Sequence, residues 1–245
     1  MLKVPYNSRN ILLGDSLIRF MKFGDKEIYG STEGIKANLR EVILQLNDKV
    51  SHLHENEELD FVIISLRSLT NYTSILLERL TLYQQSPIEF CAISARNLFE
   101  CYLLVAFILS DPSKAKEFVG QKASEELEIN EGFLSLTEPS TPEAVIKSIQ
   151  DRMTYIKELM NKHEVPIEKH WTVSYLAKQT NNKVEYESFF KLYSKYIHPS
   201  SWIVNSLANE YDNPVFRNIF VLQGQHYASC IQKLVSNYLR DQIIA

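Results

Sequence analysis

The segment from Phe90 to Leu109 is the strongest constraint on the fold, because it is apolar around almost its whole circumference when written as a helix. A helix that is apolar on every side lies at the centre of a bundle. Pro87 suits the start of this helix, and the Asp111-Pro112 pair marks a boundary after it. Arg96 and Glu100 interrupt the segment, so it has no apolar run of about 18 residues. We therefore predict a buried central helix rather than a membrane span.

Apolar residues recur at steps of three and four on both sides of this segment, which is the pattern of amphipathic helices. No run alternates with the period of two that half-buried strands show, and no repeat or Gly/Ser linker divides the chain. The remaining predicted helices run over about 35–53, 62–83, 112–129, 143–160, 173–179, 184–197 and 214–238, and a loop is predicted over 130–141. We predict an all-α, multi-helix bundle of six to eight helices. It forms a single domain over 31–245, preceded by a small irregular or hairpin arm over 1–30.

Composition excludes several classes of function. Glycine is scarce, at 7 of 245 residues, and the glycine-rich nucleotide loops, the G-x-S-x-G elbow and H-E-x-x-H are all absent. The net charge of −4 gives no general basic surface for nucleic acid. The cysteines, Cys91, Cys101 and Cys230, are too few and too far apart for a disulfide framework or a Cys-rich zinc site. With no signal-peptide pattern at the N-terminus, we expect a cytoplasmic protein without a cofactor.

Two segments place histidines near carboxylates and are therefore candidate metal sites. His52 and His54 are two residues apart, so on a helix they point in different directions and do not converge on one ion. His163 and His170 could share a metal only if the loop between them folded around it. We predict no metal site.

Two polar pairs stand out in otherwise apolar helices. Arg96 and Glu100 are four residues apart on the central helix, and Ser194 and His198 have the same spacing on a later one. Residues at this spacing share a helix face. Because a charge inside an apolar segment needs a partner, packing of the two helices would bring these four side chains into a single polar cluster.

The cluster has two interpretations. It is either a buried structural network that fixes helix register, or a site. As a site, His198 would serve as acid or base, since imidazole titrates near neutral pH, and Arg96 would hold a phosphate or another anion. The candidate catalytic residues are then Arg96 and His198, and the candidate binding residues are Glu100, Tyr193, Ser194 and Lys195.

Residues 169–198 favour an anionic ligand. Five lysines stand there against two glutamates, with seven aromatic residues between them. Basic residues with stacking platforms are what single-stranded nucleic acid requires. The alternative is that the aromatics, which follow helical spacing from Tyr186 to Tyr193, belong to the core.

The pattern Arg96-x-x-x-Glu100, followed about ninety residues later by Tyr193-Ser194-x-x-x-His198-Pro199-Ser200, resembles a widespread microbial family of helical domains of unknown function. The resemblance covers roughly residues 35–240 and implies an all-α fold but no established activity. A more distant similarity is to HEPN-type helical domains. That similarity implies a metal-independent ribonuclease, or a non-catalytic nucleotide-binding or toxin–antitoxin protein.

The HEPN nuclease signature is an arginine followed within a few residues by a histidine, and no arginine of this chain is so placed; Arg217 and His226 are too far apart. A ribonuclease would need Arg96 and His198 from two different helices. We therefore favour a binding or interaction module whose Arg-Glu-Ser-His cluster is structural or binds a small anion. The alternative is a HEPN-like ribonuclease or toxin-type enzyme acting on RNA. The long amphipathic helices are also compatible with a homodimer.

Overall fold

A computed structural model describes residues 32–55, 59–82, 86–207 and 211–244. Within these residues the chain forms nine helices and no strand, so the prediction of an all-α bundle is confirmed. The predicted N-terminal arm, residues 1–30, lies outside the described residues.

The helices follow the predicted order. Their bounds are α1 Thr32–Glu55, α2 Phe61–Leu82, α3 Ile88–Ser110, α4 Lys114–Ser135, α5 Glu143–Lys162, α6 Val173–Gln179, α7 183–197, α8 Ser201–Val204 and α9 Pro214–Ile244. Helix α7 is continuous but not uniform, since it consists of an α-helical start Lys183–Glu185, a π-helical turn Tyr186–Phe190 and an α-helical end Lys191–Ile197. The π-turn and the single turn of α8 were not predicted.

Side-chain caps explain where several helices begin. The Asp60 carboxylate accepts the backbone N–H groups of Val62 and Ile63 at 2.9 and 3.0 Å, which satisfies two free donors at the start of α2. The Asp111 carboxylate accepts the backbone N–H of Ser113 at 3.1 Å and its hydroxyl at 2.7 Å, just before α4. The hydroxyl hydrogen bond is the main cause that lowers the pKa of Asp111. The predicted boundary at this aspartate is confirmed.

Helix α3 is the centre of the bundle, and α9 packs along it more extensively than any other helix. Twelve of its side chains are buried, including Leu98 and Phe99. A Cβ atom on Gly224 of α9 would overlap the Leu80 side chain and lie 3.1 Å from Leu98, so glycine at this position permits the close approach of α9. Burial also raises the pKa of the Cys101 thiol to about 12. None of the three cysteines forms a disulfide bond.

The length and composition of α3 would also allow it to cross a membrane, and α3 is the only described helix of which this is true. The bundle, however, buries 61% of its most apolar stretch. This degree of burial follows from the central position of α3 among α2, α7 and α9.

Helices α4 and α5 form a hairpin with its own small core of Leu127, Met153, Ile156 and Met160. The predicted loop over 130–141 is wrong for residues 130–135, because α4 continues to Ser135. No proline occurs in this stretch before Pro139, and Leu134 packs against the small core. The added turn and a half packs Leu134 on this core and leaves residues 131–133 and 135 exposed.

Two glycines of α4 give a matched test of packing. A Cβ on Gly120 would overlap the carbonyl oxygen of Pro166 and lie 3.3 Å from Val165, whereas a Cβ on Gly132 would have no atom within 4 Å among the described residues. We expect Gly120→Ala to lower the free energy of unfolding by about 1–3 kcal/mol, since backbone must move. We expect Gly132→Ala to raise it by about 0.5–1 kcal/mol through helix propensity alone. Urea unfolding of both variants measures the difference, and equal effects would contradict the packing of 165–166 on α4.

Candidate functional site

The predicted polar residues meet at the seam between α3 and α7, which pack directly against each other. On α3, Ala95 and Phe99 face the core, and Arg96 and Glu100 lie at its edge. The Phe99 ring lies 6.4 Å from that of Phe190 on α7. This aromatic contact fixes the two helices at the level of Arg96.

The π-turn of α7 places an aromatic surface beneath the arginine. Within the turn, Tyr186 and Phe190 stack with their ring centroids 5.1 Å apart. The guanidinium carbon of Arg96 lies 4.6 Å from the centroid of Phe190, within the range of a cation–π interaction. Single π-turns within α-helices occur frequently at functional sites. The turn therefore holds the planar guanidinium against a fixed face.

Arg96 also contacts Glu100 and His198 of the predicted cluster. Its Nε atom donates to Glu100 Oε1 at 2.9 Å, and its Nη1 atom lies 3.5 Å from Nε2 of His198. The Arg96 and Glu100 side chains are 24% and 25% exposed, and His198 is exposed. The predicted meeting of Arg96, Glu100 and His198 is thus present in the structure, but at the surface rather than in a closed interior.

Backbone geometry at the end of α7 fixes the histidine. The His198 N–H still bonds to the carbonyl oxygen of Ser194 at 3.2 Å, while its own backbone is extended, with φ −107° and ψ 153°. Ser200 then joins the two helices, because its hydroxyl donates to the Lys195 carbonyl at 2.9 Å and accepts the Ile203 N–H at 3.3 Å. The short HPS segment is therefore a defined connection between α7 and α8.

Ser194 and Tyr193 bond elsewhere. The Ser194 hydroxyl donates to the carbonyl oxygen of Phe190 at 2.9 Å instead of to His198. Tyr193 is fully buried, and its hydroxyl donates to Gln223 on α9. Burial is the main cause that raises the pKa of Tyr193 well above its usual range, so this hydroxyl stays protonated at neutral pH. Lys195 is exposed beside the cluster.

Two residues that matter here were missed by sequence reasoning. Phe190 was one of the seven aromatic residues of 169–198, interpreted as either stacking platforms or core residues, and nothing in the local sequence indicated that a π-turn would bring it under Arg96. Gln223 lies in the middle of the long apolar stripe of α9 and is fully buried. Its amide nitrogen has no hydrogen-bond partner among the described residues. The glutamine within an otherwise apolar stripe was the sequence feature that could have predicted a buried polar contact such as that with Tyr193.

Neither candidate metal segment gathers ligands in the part of the chain that the structure describes, where no three His, Cys, Asp or Glu side chains lie together. His52 lies 3.8 Å from Asp48 on its own helix. His170 lies 3.3 Å from Glu125 on α4. Both contacts have the geometry of exposed ion pairs, and neither brings together the three or four ligands that a metal ion requires.

The exposure of the cluster predicts a small contribution to stability. We expect Arg96→Ala to lower the free energy of unfolding by about 1–1.5 kcal/mol, from a partly exposed ion pair and one cation–π contact, and His198→Ala to change it by less than about 0.5 kcal/mol. Thermal unfolding measures both. Arg152→Ala is the matched control, because Arg152 pairs with Glu126 at 2.7 Å and lies 5.4 Å from the Tyr155 ring centroid. A loss at Arg96 above about 3 kcal/mol would instead mark a structural network.

Comparison with known proteins gives one match. The model of a family described as of unknown function, DUF5677, matches residues 62–213. No curated protein and no solved structure matches the chain. The matched range contains Arg96, Glu100 and the 193–200 segment, so the resemblance to a helical family of unknown function is confirmed, while the similarity to HEPN-type domains stays a prediction. The chain belongs to this family of unknown function.

Proposed function

We propose that this protein is a binding module that holds a small phosphate-like anion at Arg96 and His198. The observation that carries the proposal is the 3.5 Å separation of Arg96 Nη1 and His198 Nε2, on side chains that reach solvent. Glu100 takes only the Nε edge of the guanidinium. Nη2 forms no hydrogen bond with a described residue, and Nη1 has only its long contact with His198. Charge-assisted hydrogen bonds from arginine suit phosphate oxygens.

The rigidity of the arginine supports the same proposal. Phe190 beneath it and Glu100 beside it hold the guanidinium plane in one orientation. His198 is held by the α7–α8 connection that Ser200 bridges. Donors that are already oriented lose little side-chain entropy when a ligand binds.

The surrounding charges also favour an anion. Lys191 and Lys195 lie one turn apart on the exposed side of α7, and neither forms an ion pair with any described carboxylate. Glu187, the nearest acidic residue in sequence, lies 3.6 Å from Lys183 instead. Glu100 offsets the charge of Arg96, so the two lysines supply the net positive charge of this surface.

Titration with inorganic pyrophosphate by calorimetry, at low and constant ionic strength, tests this proposal. We expect the wild type to bind and Arg96→Gln to weaken binding by about tenfold or more, since a hydrogen bond to a charged group contributes about 1.5–3 kcal/mol. Arg152→Gln, which removes an arginine with the same kinds of contacts, should leave the Kd unchanged. Equal Kd values for the wild type and Arg96→Gln would refute the site.

A metal-independent ribonuclease is the second candidate, and the same contact favours it. Cleavage of a phosphodiester needs a group that moves a proton and a cation that stabilises the charge on phosphorus oxygens. His198 is the group that moves the proton, Arg96 is the cation that stabilises the charge, and the two residues come from different helices. An acidic net charge and the absence of the local Arg–His signature make this the less favoured function.

Cleavage of a labelled single-stranded RNA in the presence of EDTA separates the two functions. The binding proposal expects no turnover by the wild type. The enzyme proposal expects turnover that His198→Ala and Arg96→Gln each lower by about a hundredfold or more, because general acid–base catalysis supplies about that factor. His170→Ala removes an exposed histidine from another surface and should have no effect.

A further inference from the structure

The outer face of helix α4 carries a row of large apolar side chains in solvent. Ile129, Phe133 and Leu136 are 57%, 55% and 77% exposed. They follow one another at steps of four and three, and Leu136, which caps the C-terminus of α4, keeps a right-handed helical backbone conformation, so the three lie side by side on one face. The small core of the α4–α5 hairpin is formed by other residues. Exposed apolar residues that are contiguous, unlike scattered ones, mark interaction surfaces.

Gly132 lies within this row and opens it to close approach. A Cβ at this position would meet no described atom within 4 Å, so nothing in the described bundle requires a glycine there. Glycine in a helix interior lowers helix stability by about 0.5–1 kcal/mol relative to alanine. What a glycine does provide is room for another backbone to approach between Ile129 and Leu136.

The charge around the row is strongly one-sided. Residues 123–146 contain six glutamates and no lysine, arginine or histidine. Glu125 lies beside His170 and Glu126 pairs with Arg152. The other four carboxylates, Glu128, Glu131, Glu138 and Glu143, form no ion pair with any described residue. Helical spacing puts Glu128 beside the row and Glu131 on the opposite side of the helix, while Glu138 and Glu143 follow the row at the distal end of the hairpin. The negative charge that the described bundle leaves unneutralised therefore lies along one edge and at the distal end of the row.

We propose that this face, Ile129–Leu136 with its flanking glutamates, docks a basic amphipathic helix of a partner protein. An apolar row of about two turns matches the three anchor positions through which one helix recognises another. Lysines or arginines beside the partner's apolar stripe would meet the free glutamates. A second copy of this chain fits less well, because two α4 faces would bring like charges together. The surface contains no residue of the Arg96 cluster, so the inference is independent of the proposed function.

Fluorescence anisotropy with two designed helical peptides of about 20 residues tests the charge complementarity. Both peptides carry the same leucine stripe, flanked in one by lysines and in the other by glutamates. We expect the full chain to bind the lysine peptide at least about tenfold more tightly. Equal binding of the two peptides, or no binding of either, would overturn the proposal.

Variants locate the contact. Leu136→Ser should weaken binding of the lysine peptide by about tenfold. The matched control, Leu82→Ser, removes a leucine that is 69% exposed at the end of α2 and should leave binding unchanged. Gly132→Gln should raise the melting temperature by about 2–4 °C and yet weaken binding, because it strengthens the helix while it fills the gap. A gain in stability with unchanged binding would contradict docking at this row.

Sedimentation of the free chain tests the competing occupant. We expect the oligomeric state of the wild type and of Leu136→Ser to be the same. A dimer that Leu136→Ser dissociates would show that the row is covered by a second copy, and would overturn the proposal of a basic partner.

Discussion

The burial of α3 against α9 is the contact on which the other helices of the bundle depend. Leu98 and Phe99 are removed from water almost completely, and each fully buried large apolar side chain contributes about 1.5–3 kcal/mol. The helix is not apolar at every position, so Arg96 and Glu100, the charged pair in its middle, must leave the core at a seam. The seam with α7 is where Arg96 and Glu100 reach solvent. The way in which the central helix is buried thus determines where the candidate site lies.

The fold could be predicted from the sequence largely because its determinants are local. Helical periodicity and the caps at helix starts act within a few residues, and Asp60 and Asp111 hold the ends at which α2 and α4 begin. The distal turn of α4 could not be predicted in the same way. Its helical state depends on Leu134, which packs on side chains from α5, and such a contact between helices leaves no mark in the local pattern.

The candidate site could be predicted only in part, because several of its contacts join residues that are far apart in sequence. The Arg96–Glu100 pair follows from a spacing of four residues on a helix. The contact with His198 spans 102 positions in sequence, and the sequence predicted it only on the condition that the two helices that carry the polar pairs pack together. The direction of Tyr193 into the core is set by Gln223 on α9. Phe190 reaches Arg96 through a π-turn, which has no simple sequence signature.

The π-turn has a consequence for how this surface tolerates change in chain length. A π-turn accommodates one residue more than an α-helical turn, and each residue of an α-helix advances the direction of the following side chains by about 100°. Loss of one residue from 186–190 would let α7 close into a regular helix and would leave its C-terminal end, with His198, directed toward α3. Loss of one residue from the α-helical end, 191–197, would instead turn His198 by about 100° away from Arg96. The composition of the site would be unaltered while its geometry was lost. Insertions and deletions in α7, rather than substitutions, are therefore the changes to which this surface is most sensitive.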